Sequence, residues 1–171
     1  FTGAAYVTWT SGGQSISNYM VFKNSTLYTP EFFGSEWSKG LVEGSDGYYY
    51  FTASYPMYGK DDKEGYDRII LRRAETIDGL KNAEEKVIWD EKNSDTSFRF
   101  IWAPEIHEIN GKWYVLFAAS GSKNNVWDIN CHIIMCEGKD PYCDGWEDIG
   151  KFSACEGDEF PFTGFSLDMT Y

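Results

Sequence analysis

The chain repeats itself, and the repeat limits its fold more than any other feature. "DGYYYFTASYP" at Asp46–Pro56 and "NGKWYVLFAAS" at Asn110–Ser120 share one plan, 64 residues apart. Each opens on a turn dipeptide, runs through alternating aromatic and apolar residues, and ends on small ones. Similar second runs follow, "YDRIILRRA" from Tyr66 and "VWDINCHIIMCEG" from Val126, and then third ones, "KVIWDE" from Lys86 and "GWEDIGKF" from Gly145. A shorter run precedes each, "SKGLVEG" from Ser38 and "WAPEIHEI" from Trp102. Alternation over such short segments marks strands, not helices. The unit is thus four short antiparallel strands, used over residues 38–92 and again over 101–153. One such sheet cannot cover both its faces, so these repeats stack around an axis as propeller blades.

The flanks fit the same plan. In residues 1–37, "AAYVTWTS" and "NYMVFKNS" read as strands of a partial preceding blade, and "GFSLDMTY" at Gly164–Tyr171 reads as the first strand of a following one. "AETIDGLKNAEEK" at Ala74–Lys86 reads as a polar connection with room for one helical turn. The expected fold class is all-β, a single incomplete β-propeller domain. Closing a ring of even four such blades takes roughly 250 residues, and this chain has 171. Unpaired sheet edges at both ends predict self-association or pairing with a complementary propeller fragment.

Charge narrows the partners. With 15 Lys+Arg against 27 Asp+Glu the net charge is −12, which repels nucleic acid and anionic membrane surfaces. A neutral ligand is left, and sugars are the largest such class. Aromatics make up 18% of the chain; they fill a β-rich core or line a groove where sugar rings stack. Cys131, Cys136, Cys143 and Cys155 do not have zinc spacing and read as disulfides, and no metal or other cofactor is expected. The hairpin of residues 131–137 and 146–152 favours Cys136–Cys143 and Cys131–Cys155 bridges. With the Asn24-Ser25-Thr26 sequon and no apolar run long enough to span a membrane, this points to a secreted protein.

Three motifs in order, "YYYFTASYP…YDRIILRRAETIDGL", "WAPEIHEINGKWYVLFAAS" and "FSLDMTY", closely resemble the glycoside hydrolase family 43 enzymes. Those are five-bladed propellers that cleave arabinose or xylose residues from plant cell-wall polysaccharides. The resemblance runs from about Asp46 to Tyr171, is nearest to the α-L-arabinofuranosidase and arabinanase branch, and is lacking over the first 40 residues. It implies about two full blades plus partial flanking ones. It also implies an inverting mechanism with three carboxylates at the propeller axis: a general base, a carboxylate that tunes the acid and orients the sugar, and a general acid. Acid and base then stand about 6.5–9.5 Å apart, leaving room for a water.

Carried over residue by residue, Asp168 falls on the tuning and orienting carboxylate. The general acid is expected beyond Tyr171. Ser38 stands where the family has its base, and a Ser hydroxyl cannot accept a proton from water at neutral pH as a carboxylate does. Glu36, two residues away, substitutes only if the backbone shifts. Trp102 is expected to form an apolar wall of the sugar site. Glu105 serves either as a hydrogen-bonding group for the sugar or as a structural carboxylate held by backbone N–H groups or Arg99. His107 reads more readily as a satisfied core histidine than as a ligand. Ser54 and Tyr55 are candidates for the rim.

Two readings follow. The first is a secreted, inverting glycoside hydrolase acting on arabinose- or xylose-containing saccharides, with this chain alone catalytically incomplete. The second is a non-catalytic carbohydrate-binding propeller fragment that has lost its base. A lectin-like aromatic sandwich is disfavoured by the ordered motifs.

Overall fold

A computed structural model describes residues 3–11, 14–23, 26–28, 39–54, 65–94, 99–122, 124–158, 162 and 164–171, with only the backbone described before Leu41. The chain divides into two units, Phe1–Trp37 and Ser38–Tyr171. The first is a three-stranded antiparallel sheet of β1 (Gly3–Ser11), β2 (Gln14–Lys23) and β3 (Thr26–Tyr28) in that order. The sequon at Asn24-Ser25 lies outside the described residues.

The second unit contains two four-stranded sheets. One is formed by β4 (Lys39–Glu43), β5 (Tyr49–Ser54), β6 (Arg68–Ala74) and β7 (Lys86–Asp90). The other is formed by β8 (Arg99–Ile109), β9 (Lys112–Ser120), β10 (Ile129–Cys136) and β11 (Trp146–Lys151). In each, every strand pairs antiparallel with its sequence neighbour. This is the up-and-down order of a propeller blade. The architecture is all-β, and two such sheets in succession agree with the expected propeller blades. The polar connection between β6 and β7 forms a short 3-10 helix, Asp78–Asn82, anchored by buried Leu80.

Turn chemistry sets the registers. Asn110 and Gly111 both take positive φ, 53° and 74°, and join Ile109 to its partner Lys112. A two-residue hairpin turn of this kind needs φ > 0 at both central positions, which Asn-Gly accepts at low cost. Gly44, before the β4–β5 turn, is required for another reason: a Cβ there would meet the Trp113 ring at 2.8 Å.

That Trp belongs to the core between the sheets. Tyr50, Ile69, Leu71 and Trp89 from the first sheet pack on Ile101, Ile106, Trp113, Val115, Phe117 and Ile134 from the second. Tyr50 and Trp113 meet at 4.8 Å between ring centroids, inclined by 56°. The Tyr50 hydroxyl donates to Asp46 Oδ2 at 2.6 Å; burial, reinforced by that bond, pushes its pKa up and keeps it a neutral donor. Every residue of β5 is buried, so this strand is covered on both faces, as an inner strand of stacked sheets must be.

A polar clamp joins the sheets at the edge of this core. Arg73 Nη1 donates to both carboxylate oxygens of Asp140 at 2.9 Å. Its guanidinium sits 5.0 Å from the Tyr48 ring centroid and 4.8 Å from that of Tyr142. Asp140 also accepts from the Tyr142 backbone N–H at 2.9 Å.

The cysteines depart from expectation. All four are free thiols, Cys131 and Cys136 buried and Cys143 and Cys155 exposed. Each expected bridge, Cys136–Cys143 and Cys131–Cys155, would join a thiol inside the sheet to one at the surface. The hairpin itself is present, His132 opposite Lys151 through Cys136 opposite Trp146, but the exposed pair sits outside its ladder. Cys136 is instead a core residue, and burial raises the pKa of both interior thiols. Such thiols behave as small hydrophobes.

Two outcomes test this packing. A thiol reagent is expected to modify Cys143 and Cys155 in the native protein and Cys131 and Cys136 only after denaturation, read by mass mapping. Trp113→Ala should lower stability by about 3–5 kcal/mol in denaturant unfolding, because it removes the ring that packs on Tyr50 across the two sheets.

Candidate active site

β8 is the most interrupted strand of the second sheet, with two slips against the one between Ile133 and Ile134 where β10 meets β11. Its pairing with β9 slips between Arg99 and Trp102 and again between Trp102 and Glu105. Phe100 and Ala103, on either side of Trp102, have φ of 54° and 47°. Non-glycine residues seldom adopt this region, and such outliers cluster at functional sites. Pro104 falls at the second slip, where its missing N–H costs the ladder nothing. Ile101 N–H bonds instead to Tyr66 O at 2.8 Å. Trp102 is half-buried and meets Tyr66 and Phe100 edge-on, both at 6.1 Å. The bulges thus turn one Trp face away from the regular pleat into an aromatic nest.

The Gly164–Tyr171 segment forms no strand ladder among the described residues. It runs along the second sheet, held at three points. Ser166 N–H donates to Ile129 O at 3.0 Å, and Ser166 Oγ accepts from Cys131 N–H at 3.1 Å. The Met169 backbone bonds the Cys131 thiol. Farther on, Thr170 hydrogen-bonds the Glu105 carboxylate, and the Tyr171 ring lies 5.8 Å from that of His107. Asp168 falls between these attachments, with φ 55° and an exposed side chain. Aspartate is among the few side chains that tolerate this backbone region.

Glu105 and His107 form a pair. The carboxylate only accepts, so the imidazole donates from Nε2 to Oε2 at 3.2 Å. The hydrogen bond to His107 is the main cause that lowers the Glu105 pKa, against opposing burial and with help from Thr170. Glu105 is therefore an ionised acceptor at neutral pH and not a proton donor. His107 is half-buried beside it, which corrects its expected place as a core histidine. The buried histidine is His132, stacked on Phe117 at 5.7 Å. Glu108, on the opposite face of the strand from Glu105, accepts from Ser45 N–H at 2.8 Å and Ser45 Oγ at 2.6 Å.

The other expected site residues divide. Ser54 is not on an exposed rim: its side chain is wholly buried at the end of β5, and its hydroxyl has no partner among the described residues. Tyr55, Glu36 and Ser38 lie outside the described residues. Among the described residues, no group of three His, Cys, Asp or Glu is placed to hold a metal.

Residues 39–168 match the glycosyl hydrolases family 43. The chain belongs to this family. It is 44% identical over 130 residues to an extracellular exo-α-(1→5)-L-arabinofuranosidase of Streptomyces avermitilis, covering 76% of this chain and 24% of that protein. It is 40% identical over 130 residues to α-L-arabinofuranosidase 43 of Humicola insolens, with the same two coverages. The crystal structure of an α-L-arabinofuranosidase from Lactobacillus brevis superposes with a TM-score of 0.62 at 37% identity, covering 78% of this chain and 39% of that one. The chain thus spans about a quarter of the length of these two curated relatives.

In this family 43 chain the structure joins two motifs some sixty residues apart, "WAPEIH" and "LDMTY", through Thr170 on Glu105 and Tyr171 on His107. Sequence reading treated Glu105 and His107 separately and did not single out Thr170, Tyr171 or Tyr66. The i, i+2 spacing of Glu105 and His107 on one strand face was the available signal; for Thr170 there was none.

The Glu105 shift sets an acid response. Between the ordinary Glu range and its lowered native pKa, the unfolded chain holds the extra proton. The contribution to stability is complete above that range and is lost as pH falls through the native pKa. Urea midpoints of the full-length protein near pH 7 and near pH 4 should therefore fall less in Glu105→Gln than in the wild type; equal falls would remove Glu105 as a source of acid sensitivity.

Proposed function

We propose that the protein carrying this chain is an extracellular, inverting glycoside hydrolase of α-L-arabinofuranosidase type, acting on arabinose- or xylose-containing plant cell-wall saccharides. The observation that carries this reading is the family match that ends on Asp168, with that residue exposed between the Cys131 and Glu105 attachments. Its relatives' names supply the substrate class and the extracellular setting. Asp168 orients the sugar and tunes the general acid, Trp102 offers an apolar wall, and ionised Glu105 accepts from a sugar hydroxyl. Residues 1–37 form a partial preceding blade or N-terminal strands, 38–92 and 101–153 are blades, and 164–171 opens the next.

In an inverting reaction, the base removes a proton from water as the water attacks the anomeric carbon. The acid protonates the leaving oxygen on the other side. Neither group has a matched position in this chain: Ser38 stands at the base, and Glu36 replaces it only with a shifted backbone. The remaining propeller, as a complementary segment or through self-association, completes the site. The Ser38 substitution is also the one observation that favours a non-catalytic carbohydrate-binding propeller.

The 171 residues alone are expected to show almost no turnover of aryl arabinofuranosides, since acid and base assistance each contribute about 10²–10⁴-fold. In the full-length protein, Asp168→Asn should lower kcat by a similar factor with a smaller change in KM, and NMR of the first product should show the inverted anomer. A retained anomer, or an unchanged kcat in the variant, would overturn the mechanism. Binding of arabino-oligosaccharide without turnover would favour the non-catalytic reading.

A further inference from the structure

Asp168 sits on a short span of chain that is tied down on both sides. Two residues before it, Ser166 gives its N–H to Ile129 O at 3.0 Å and takes the Cys131 N–H on its Oγ at 3.1 Å. Two residues after it, the Thr170 side chain bonds the Glu105 carboxylate. That carboxylate only accepts, so the Thr170 hydroxyl donates. Between the two, the Met169 backbone bonds the Cys131 sulfur. Beyond Thr170, the Tyr171 ring lies 5.8 Å from that of His107. One hydroxyl thus ties the span to β10, and the other ties it to β8.

These two strands are not neighbours. The sheet order is β11-β10-β9-β8, so the span from Ser166 to Thr170 crosses β9. Adjacent strands stand about 4.8 Å apart, which puts about 10 Å between the two anchoring strands. Four residue steps reach at most about 14 Å, so the crossing has little slack, and Asp168 is its midpoint. The register sets Ala118 opposite both Cys131 and Trp102; β9 presents only a methyl group between the anchored strands at that level. Asp168 itself has φ 55°, a region that a non-glycine residue keeps only where its surroundings over-determine it. A regular extended span would point residues 166, 168 and 170 to one face. The positive φ breaks that alternation, so both hydroxyls hold the sheet while the carboxylate between them stays exposed.

We infer that Ser166 and Thr170 are positioning residues that aim the Asp168 carboxylate from either side, Ser166 through β10 and Thr170 through Glu105 on β8. This rests on the glycosidase reading above and deepens it. A carboxylate that orients a sugar and tunes an acid has to be held to a fraction of an ångström, and the holding falls to the groups bonded around it. Neither hydroxyl has to touch the sugar; each acts through the backbone that carries Asp168. Ser166 also occupies the Cys131 backbone N–H at the start of β10, a donor that an apolar side chain there would leave unpaired.

The test uses the full-length protein with Thr170→Val, Thr170→Ser and Ser166→Ala, and with Thr170→Val added to Asp168→Asn. On an aryl α-L-arabinofuranoside, Thr170→Val and Ser166→Ala are each expected to lower kcat about 10-fold with little change in KM. Thr170→Ser, which keeps the hydroxyl, should retain most of kcat. In the Asp168→Asn background Thr170→Val should cost nothing further, because both changes act on one carboxylate. An unchanged kcat in Thr170→Val and Ser166→Ala overturns the assignment. So does an equal loss in both backgrounds, which makes the hydroxyls a matter of packing alone. Crystal structures of the wild type and of the Ser166→Ala/Thr170→Val double variant give a readout that needs no turnover, with Thr170→Val alone taking its place if the double variant does not fold. A positive φ at Asp168 in the wild type that is lost in the variant upholds the positioning, and the same φ in both overturns it. A wild type without turnover sinks the glycosidase reading, and the crystal structures then decide the positioning by themselves.

Discussion

Everything in the second unit depends on covering one sheet with the other. A four-stranded sheet leaves two faces open, and here the inner faces close on Tyr50 against Trp113, with Ile69, Leu71, Val115, Phe117 and Ile134 around them. That contact explains Gly44, whose hydrogen is all that fits beside Trp113. The Tyr50 hydroxyl keeps its bond to Asp46 at the edge of this core. The Arg73–Asp140 clamp then adds orientation: a planar guanidinium between two tyrosines and a carboxylate fixes how the sheets face each other, which apolar packing alone specifies weakly.

On that base, the functional end is built from departures from regularity. A regular β8 would send Trp102 and Glu105 to opposite faces with no special presentation. Two register slips, two positive-φ residues and Pro104 alter that strand where the family motif lies. The Gly164–Tyr171 segment then lies along the second sheet and supplies Thr170 and Tyr171 to the Glu105–His107 pair. The residues proposed to face the sugar, Trp102 and Glu105, sit where the ladder breaks. This agrees with the general tendency of active sites to hold their backbone in sparsely populated conformations that surrounding packing stabilises.

The cysteines show how composition misleads when burial is not known. Four thiols within a short stretch resemble a disulfide framework. In the fold two of them are ordinary core residues and the other two stand at the surface. An even count carries no information about which side of a sheet each side chain takes. Ser54, at the end of a strand that suggests a rim, is likewise buried in the fold.

The strands, their order and the Asn110-Gly111 turn were legible in the sequence, because alternation and turn preference act between residues close in the chain. The family was legible too, through short motifs. What the tertiary structure decided was everything set by contacts between distant segments: the pairing of Glu105 with His107 and Thr170, the exposure of Asp168 on a held segment, and the free thiols. Local sequence encodes the period of a strand, but a side chain's partner and its access to water depend on which element is packed against it, and that follows only from stacking the sheets.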